Sequence, residues 1–366
     1  MNLAISDARN GLVNLVGELE QRLTARSSTP GLDPESASAI PDGSSYLLAL
    51  FDGLGDQQLS APMAAPMLAD RKLGLRAPFP TTTTVSMATI ATGTAPAEHG
   101  LIAHLMWIAE LSKVVNTLKW VDLTGAAVSY DTGALLPAPN LWERLQMAGV
   151  EPVTIQPEGF AATPLSAALY RGCRWVGVAN SEEFTARALE EVAHPGRLVF
   201  AYWPPVDFAA HVFGMESFEY AQAVSEVTGV WERLAGDLPP GAVLLGTADH
   251  GMAPIAEGGK LVIRDEEFRM LDCFGDPRAV MIRGSSRLIG RLADRTGGQL
   301  VGPDRFLPWL GAGKTHPGLT DRLPTHVLLA RPGTVILPPG FDRRLVCYHG
   351  GLTEEEVAIP LLVAVG

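Results

Sequence analysis

Short apolar runs, spaced between stretches of helical periodicity, constrain this chain more than any other feature of it. Tyr46–Phe51, Pro152–Ile155, Leu198–Tyr202, Val243–Gly246 and Val327–Leu329 are three to six residues long and almost free of polar side chains. A strand without a polar face is buried on both sides. Helices are predicted between these runs at 140–148, 181–193 and 216–235, the last ending before the stop Leu238-Pro239-Pro240-Gly241. Strands that alternate with helices imply a mainly parallel sheet covered on both faces, a three-layer α/β sandwich. Ahead of the first strand, Leu12, Val13, Leu15, Val16, Leu19 and Leu23 predict an amphipathic helix over 3–26, and a Ser/Pro/Gly-rich linker covers 27–44.

Composition narrows the function. The formal net charge of −12 offers no broad cationic surface for a nucleic-acid backbone, so no polymeric nucleic acid is expected as partner, whereas a small phosphate ester is compatible. The three cysteines, Cys173, Cys273 and Cys347, are widely separated and form no CxxC pair, which argues against a disulfide framework and a thiolate metal site. The first residues lack a basic start followed by an apolar core, and no apolar run reaches transmembrane length. A cytoplasmic protein without a membrane partner is expected.

In sheets of this kind ligands gather beyond the carboxyl ends of the strands. Asp52 follows the run ending at Phe51, Asp207 comes five residues after Tyr202, and Asp249 and His250 come just after Gly246. Asp207 and His211 are four apart, so one helical turn would present both to a common ion. Asp249 and His250 are adjacent, and in a loop they would serve one ion or two. Alone, each segment reads as a cap, a turn or a packed histidine. Together with Thr81-Thr82-Thr83-Thr84 and Tyr348-His349-Gly350-Gly351 they make a set of oxygen and imidazole donors that suits zinc, and less strictly manganese.

From about Tyr46 onward this set resembles the type I phosphodiesterase/nucleotide pyrophosphatase branch of the alkaline-phosphatase superfamily. The match is strongest at Phe51-Asp52-Gly53, Phe79-Pro80-Thr81-Thr82-Thr83-Thr84, Asp207 to His211, Asp249-His250-Gly251 and His349-Gly350-Gly351. It extends through Thr89-Ile90-Ala91-Thr92-Gly93 and Ala97-Glu98-His99-Gly100. The resemblance implies an alkaline-phosphatase-like fold and two divalent ions. Asp207, His211 and His349 would hold one, and Asp52, Asp249, His250 and the Thr83 hydroxyl the other. Thr83 would be the nucleophile, with Thr82 or Thr84 as the alternative register. The family pattern has an asparagine three residues beyond the nucleophile, on a phosphoryl oxygen; Ser86 stands there. Thr82 stands where nucleotide-cleaving members commonly have lysine.

Physical chemistry supports such a centre independently. A threonine hydroxyl is a poor nucleophile near neutral pH, and coordination to a dication lowers its pKa as it does for bound water. A helix predicted over about 84–93 would add its amino-terminal N–H groups near the reacting phosphoryl. The expected reaction is hydrolysis of a phosphodiester or pyrophosphate, such as a nucleotide derivative, through a covalent phosphothreonine. A phosphomonoesterase or phosphonate hydrolase is the near alternative. The tail His349-Gly350-Gly351-Leu352-Thr353-Glu354-Glu355-Glu356 also resembles the PglZ-type domain of phage-defence systems, which implies a partner-dependent module. Within about 255–345 a strand at Arg278–Arg283 and a helix at Ser286–Thr296 form either a small insert or lid or an extension of the sheet, and 101–135 a second wall. His99, His104, His194, His316 and His326 read as surface or satisfied core.

Overall fold

The computed structural model describes residues 10–131, 135–339 and 341–366. Its core is a seven-stranded sheet in the order Arg71–Arg76, Ala358–Val365, Ala242–Thr247, Ser45–Phe51, Arg197–Trp203, Glu151–Pro157 and Arg174–Val178. Five of these strands run parallel, and Ala358–Val365 runs antiparallel to both its neighbours.

The apolar strands serve two cores at once. Along Ser45–Phe51, Tyr46, Leu48 and Leu50 point into one, while Leu47, Ala49 and Phe51 point into the other. This is the period of two expected of a strand covered on both faces. On the first face Leu15, Leu19, Met87, Ile90, Leu141 and Leu145 come from the helices Leu12–Thr24, Thr83–Thr92 and Leu141–Met147. On the second face Phe184, Ala188, Val224, Val227 and Trp231 come from Ser181–Val192 and Phe218–Gly236. The sandwich therefore has the three layers that the sequence predicts. Residues 3–9 of the expected first helix lie outside the described residues.

A second seven-stranded sheet, antiparallel throughout, takes the order Gln299–Val301, His326–Leu329, Ala279–Arg283, Asp272–Asp276, Leu105–Ile108, Lys113–Asn116 and Val121–Asp122. Val327–Leu329 belongs here and not to the parallel sheet, because its register partners are Ala279–Met281 and Gln299–Val301. The sheet draws on both segments set aside as walls, 101–135 and 255–345. The helix Ser286–Thr296 buries Ile289 and Leu292 in a small core of its own with Val280 and Ile282. No helix among the described residues is long and apolar enough to cross a membrane.

Candidate metal centre

Three parallel strands, Ser45–Phe51, Arg197–Trp203 and Ala242–Thr247, deliver their carboxyl ends side by side. Asp52 directly follows the first. Asp207 and His211 lie on the helix Pro205–Phe213 that opens after the second, and Asp249 and His250 follow the third. The approach of the first two elements is close. Gly53 has a φ of +73°, and a Cβ there would come within 2.8 Å of the Asp207 backbone and side chain. Glycine is required on both counts.

The donors converge. His211 Nε2 lies 3.3 Å from Asp207 Oδ1, and His349 Nε2 lies 3.9 Å from the same oxygen. His250 Nε2 lies 3.1 Å from Asp249 Oδ2 and 3.6 Å from Asp52 Oδ1. The ligand atoms of Asp52, Asp249 and His250 fall within 4.8 Å of one another, and so do those of Asp207, His250 and His349. His250 thus stands between the two sets, its ring stacked on that of His349 at 3.7 Å. The resemblance implied His211 in the first set. The structure keeps His211 beside Asp207, while the mutually close set around Asp207 and His349 takes in His250.

Each imidazole is held by its other nitrogen. His211 Nδ1 binds the Cys347 carbonyl at 2.6 Å, His349 Nδ1 the Thr81 carbonyl at 2.9 Å, and His250 Nδ1 the Gly251 carbonyl at 3.3 Å. A carbonyl only accepts, so Nδ1 carries the proton and Nε2 keeps its lone pair for a ligand. The carboxylates match this. Asp52 Oδ1, Asp207 Oδ1 and Asp249 Oδ2 are buried without a hydrogen-bond partner. Their sister oxygens on Asp52 and Asp249 are satisfied, by the Tyr202 hydroxyl and by the Gly53 and His250 N–H groups at 3.1 and 3.0 Å. Buried orphan acceptors are costly unless a cation meets them. The donor set therefore fits divalent ions.

The electrostatics point the same way. Burial, and then the Asp249 and Asp207 charges, hold the Asp52 carboxyl well above its usual range. Burial opposes ionisation of Asp249 and His250 as well, but their mutual attraction outweighs it, so Asp249 lies below and His250 above its ordinary value. Burial, followed by the His250 and His211 rings, keeps His349 neutral by pushing it far down. Such crowding of acidic groups is relieved by positive charge at their centre.

Among the four threonines the structure separates four positions. Thr82 is the N-cap of the helix Thr83–Thr92, and Thr81, Thr82 and Thr84 are buried. Thr81 Oγ1 donates to the Gly351 carbonyl at 3.0 Å and accepts from Gly350 N at 3.1 Å. Thr83 occupies the first helical position, is half-buried, and places Oγ1 3.2 Å from His250 Nε2. Val85 N donates back to the Thr82 carbonyl at 3.0 Å, which leaves the N–H groups of Thr83 and Thr84 without an acceptor within the helix. Ser86 is the residue that the resemblance sets at a phosphoryl oxygen. It is fully buried, one turn into the helix, and its hydroxyl donates to the Asp249 carbonyl at 2.7 Å.

Sequence reasoning missed Tyr202, whose hydroxyl bonds Asp52; its burial at the end of an apolar strand hid it. His104, read as surface or satisfied core, stands at the head of the second sheet. Its Nε2 lies 3.1 Å from Asn116 Nδ2, its ring lies against Phe341, and burial and then His211 push it down to about 4. His99 is structural as read: Leu101 N donates to its Nδ1 at 3.1 Å and Nε2 meets Thr89 Oγ1 at 3.2 Å.

The sequence model of the type I phosphodiesterase/nucleotide pyrophosphatase family matches residues 50–293, more than half of the chain. The chain belongs to this family. Members are metal-dependent phosphoric ester hydrolases of the alkaline-phosphatase superfamily, and this phosphodiesterase is an enzyme of that type. None of the curated proteins matches it. Among solved structures, murine ectonucleotide pyrophosphatase/phosphodiesterase 5 superposes with a TM-score of 0.63 at 19% identity, covering 88% of each chain. An inactive form of the murine protein, in complex with AMP, matches at 18% identity with a TM-score of 0.63 over 87% of each chain. Phosphonoacetate hydrolase from Sinorhizobium meliloti, in complex with phosphonoacetate, superposes with a TM-score of 0.65 at 18% identity, over 89% of this chain and 92% of its own. These likenesses show the shared fold.

Proposed function

We propose that this phosphodiesterase hydrolyses phosphodiester or pyrophosphate bonds of small molecules, nucleotide derivatives among them, with Thr83 as nucleophile and two divalent ions, zinc or manganese, as cofactors. Asp207, His211 and His349 would hold one ion, and Asp52, Asp249, His250 and Thr83 the other. The observation that carries this reading is the set of three buried, unpartnered carboxylate oxygens facing imidazoles already fixed by their Nδ1 bonds.

The ions would supply positive charge that acidifies the Thr83 hydroxyl and offsets the charge of the substrate. The protein does the rest. The helix Thr83–Thr92 aims Oγ1 outward and offers its first N–H groups to a phosphoryl oxygen. Thr83 Oγ1 would attack phosphorus as the P–O bond to the leaving group breaks, its proton ending on the departing alcohol or phosphate. Water would then attack phosphorus and break the Thr83–phosphorus bond, one of its protons restoring the hydroxyl and its oxygen leaving on the released phosphomonoester. The second sheet would form the wall that selects the leaving group, with His104 at its head against Phe341.

Metal analysis of the wild type beside Thr83→Ala and Asp207→Ala tests the reading. The wild type should hold about two ions per chain. Asp207→Ala should lose or weaken one, and Thr83→Ala should keep its metal while turnover falls at least ~10^3-fold. Full activity in Thr83→Ala would remove Thr83 as nucleophile. A phosphonate substrate is the second reading, favoured by the extensive superposition on phosphonoacetate hydrolase. Rates on a bis-p-nitrophenyl ester, a p-nitrophenyl monoester and phosphonoacetate separate these. Metal uptake with no turnover on any phosphoester would favour the partner-dependent module.

A further inference from the structure

We propose that Arg278 and Glu356 are a positioning pair that sets the His349 loop for metal capture, so that the second sheet governs the occupancy of one ion site. The inference rests on the two-ion reading above.

Glu356 sits in the short helix Glu354–Val357, fully buried. Its carboxylate accepts from Gly351 N at 2.8 Å, two residues beyond His349. It also accepts from Thr353 N at 3.2 Å and Thr353 Oγ1 at 2.8 Å. The loop it closes is tied onward, since Thr81 Oγ1 bridges Gly350 N and Gly351 O while the Thr81 carbonyl receives His349 Nδ1. The orientation of the His349 ring therefore depends on where the Glu356 side chain holds Gly351.

The backbone at Glu356 reaches the other ligand segments. Three consecutive carbonyls accept from three site loops: Glu356 from Gly251 N at 3.0 Å, Val357 from Ala77 N at 2.9 Å, and Ala358 from Asp56 N at 2.9 Å. Those donors adjoin His250, the nucleophile segment and the Asp52 loop respectively. Gly251 allows the approach, since a Cβ there would come 2.0 Å from the Glu355 carbonyl.

Arg278 arrives from the second sheet, in the turn between Asp272–Asp276 and Ala279–Arg283. Its guanidinium pairs with Glu356 through two bonds, Nε to Oε1 at 3.1 Å and Nη2 to Oε2 at 2.8 Å. Its remaining Nη1 donates to the Arg331 and Thr334 carbonyls at 2.7 and 2.6 Å. Both side chains are at most 1% exposed. A buried ion pair adds little net stability compared with a well-packed apolar pair of the same volume. Its value lies in direction: a bidentate fork fixes the plane of the carboxylate, and that plane fixes Gly351.

The test is metal uptake, followed with a competing chelating indicator in separate zinc and manganese titrations. It compares the wild type with Glu356→Gln, with Arg278→Lys, and with Val227→Ala, a core cavity on the opposite face that lowers thermal stability alone. The wild type should take up two ions. Glu356→Gln should keep one affinity and lose about 10–100-fold on the other, the range for residues that orient metal ligands. Arg278→Lys keeps the charge without the fork and should show the same selective loss; it decides the matter if Glu356→Gln does not fold. Val227→Ala should keep both affinities. Two wild-type affinities in Glu356→Gln or Arg278→Lys would overturn the pair's role while leaving the two-ion reading intact. A wild type that takes up neither ion would overturn both.

Discussion

Single side chains in this protein do sharply separate jobs within a few residues of one another. Thr81 braces the carboxyl-terminal loop, Thr82 holds the N-cap position of a helix without a side-chain capping bond, Thr83 faces the candidate metal centre and Ser86 bonds the Asp249 carbonyl. Ser86→Ala is therefore expected to act through the Asp249 loop. It removes one buried hydroxyl and strands the carbonyl it served, a cost of about 1–3 kcal/mol that a thermal melt would register. His99 permits a prediction about pH. Burial holds its imidazole neutral, with the pKa down at about 3 against 6.5 in the unfolded chain. A lowered histidine contributes stability that is fully present above the unfolded value and is lost as pH falls toward the folded one. Wild-type melts should thus weaken from pH 6.5 down to about 3 more steeply than melts of His99→Asn, even though the variant starts lower at neutral pH. Equal slopes would show that His99 does not carry the acid sensitivity.

Elements meet at the site because of what their ends can tolerate. Gly53→Ala places a methyl group 2.8 Å from Asp207 at a φ of +73°, so the helix Pro205–Phe213 must shift away from Asp52. A loss of about 1–3 kcal/mol in stability is expected, with weaker metal uptake alongside it. A Gly53→Ala protein with unchanged uptake would show that this approach is not limiting. The helices were largely legible: Ser286–Thr296 was predicted with its observed limits, and Ser181–Val192 and Phe218–Gly236 to within two residues. So was the convergence of Asp52, Asp207, Asp249 and His250, because an acidic residue or histidine just past an apolar run is a local signal. Pairing was not local. Val327–Leu329 carries the same apolar signature as the parallel strands, and only its partners Ala279–Met281 assign it to the antiparallel sheet. The bond from the Ser86 hydroxyl to the Asp249 carbonyl was likewise not legible, because it joins residues 163 apart in sequence. Arg278 and Glu356, 78 residues apart, gave no hint of their contact.

At the scale of the whole molecule, two sheets are joined through one centre of charge. Chelation should lower the melting temperature, because it leaves the Asp52, Asp207 and Asp249 carboxyl groups crowded with no dication among them. Restoring an ion at 100 times its dissociation constant should return about 2.7 kcal/mol per site. A melt indifferent to chelator would contradict a metal-bound native state. The strand Ala358–Val365 lies inside the main sheet, between Arg71–Arg76 and Ala242–Thr247, and not at its rim. This position gives translation a direction. A ribosome has already released Asp52, Thr83, Asp207 and His250 before His349 exists, and the sheet stays open along a bare edge until its closing strand is threaded in. A chain interrupted late is then expected to be an unfinished fold for proteases to clear, and never a slower version of the enzyme.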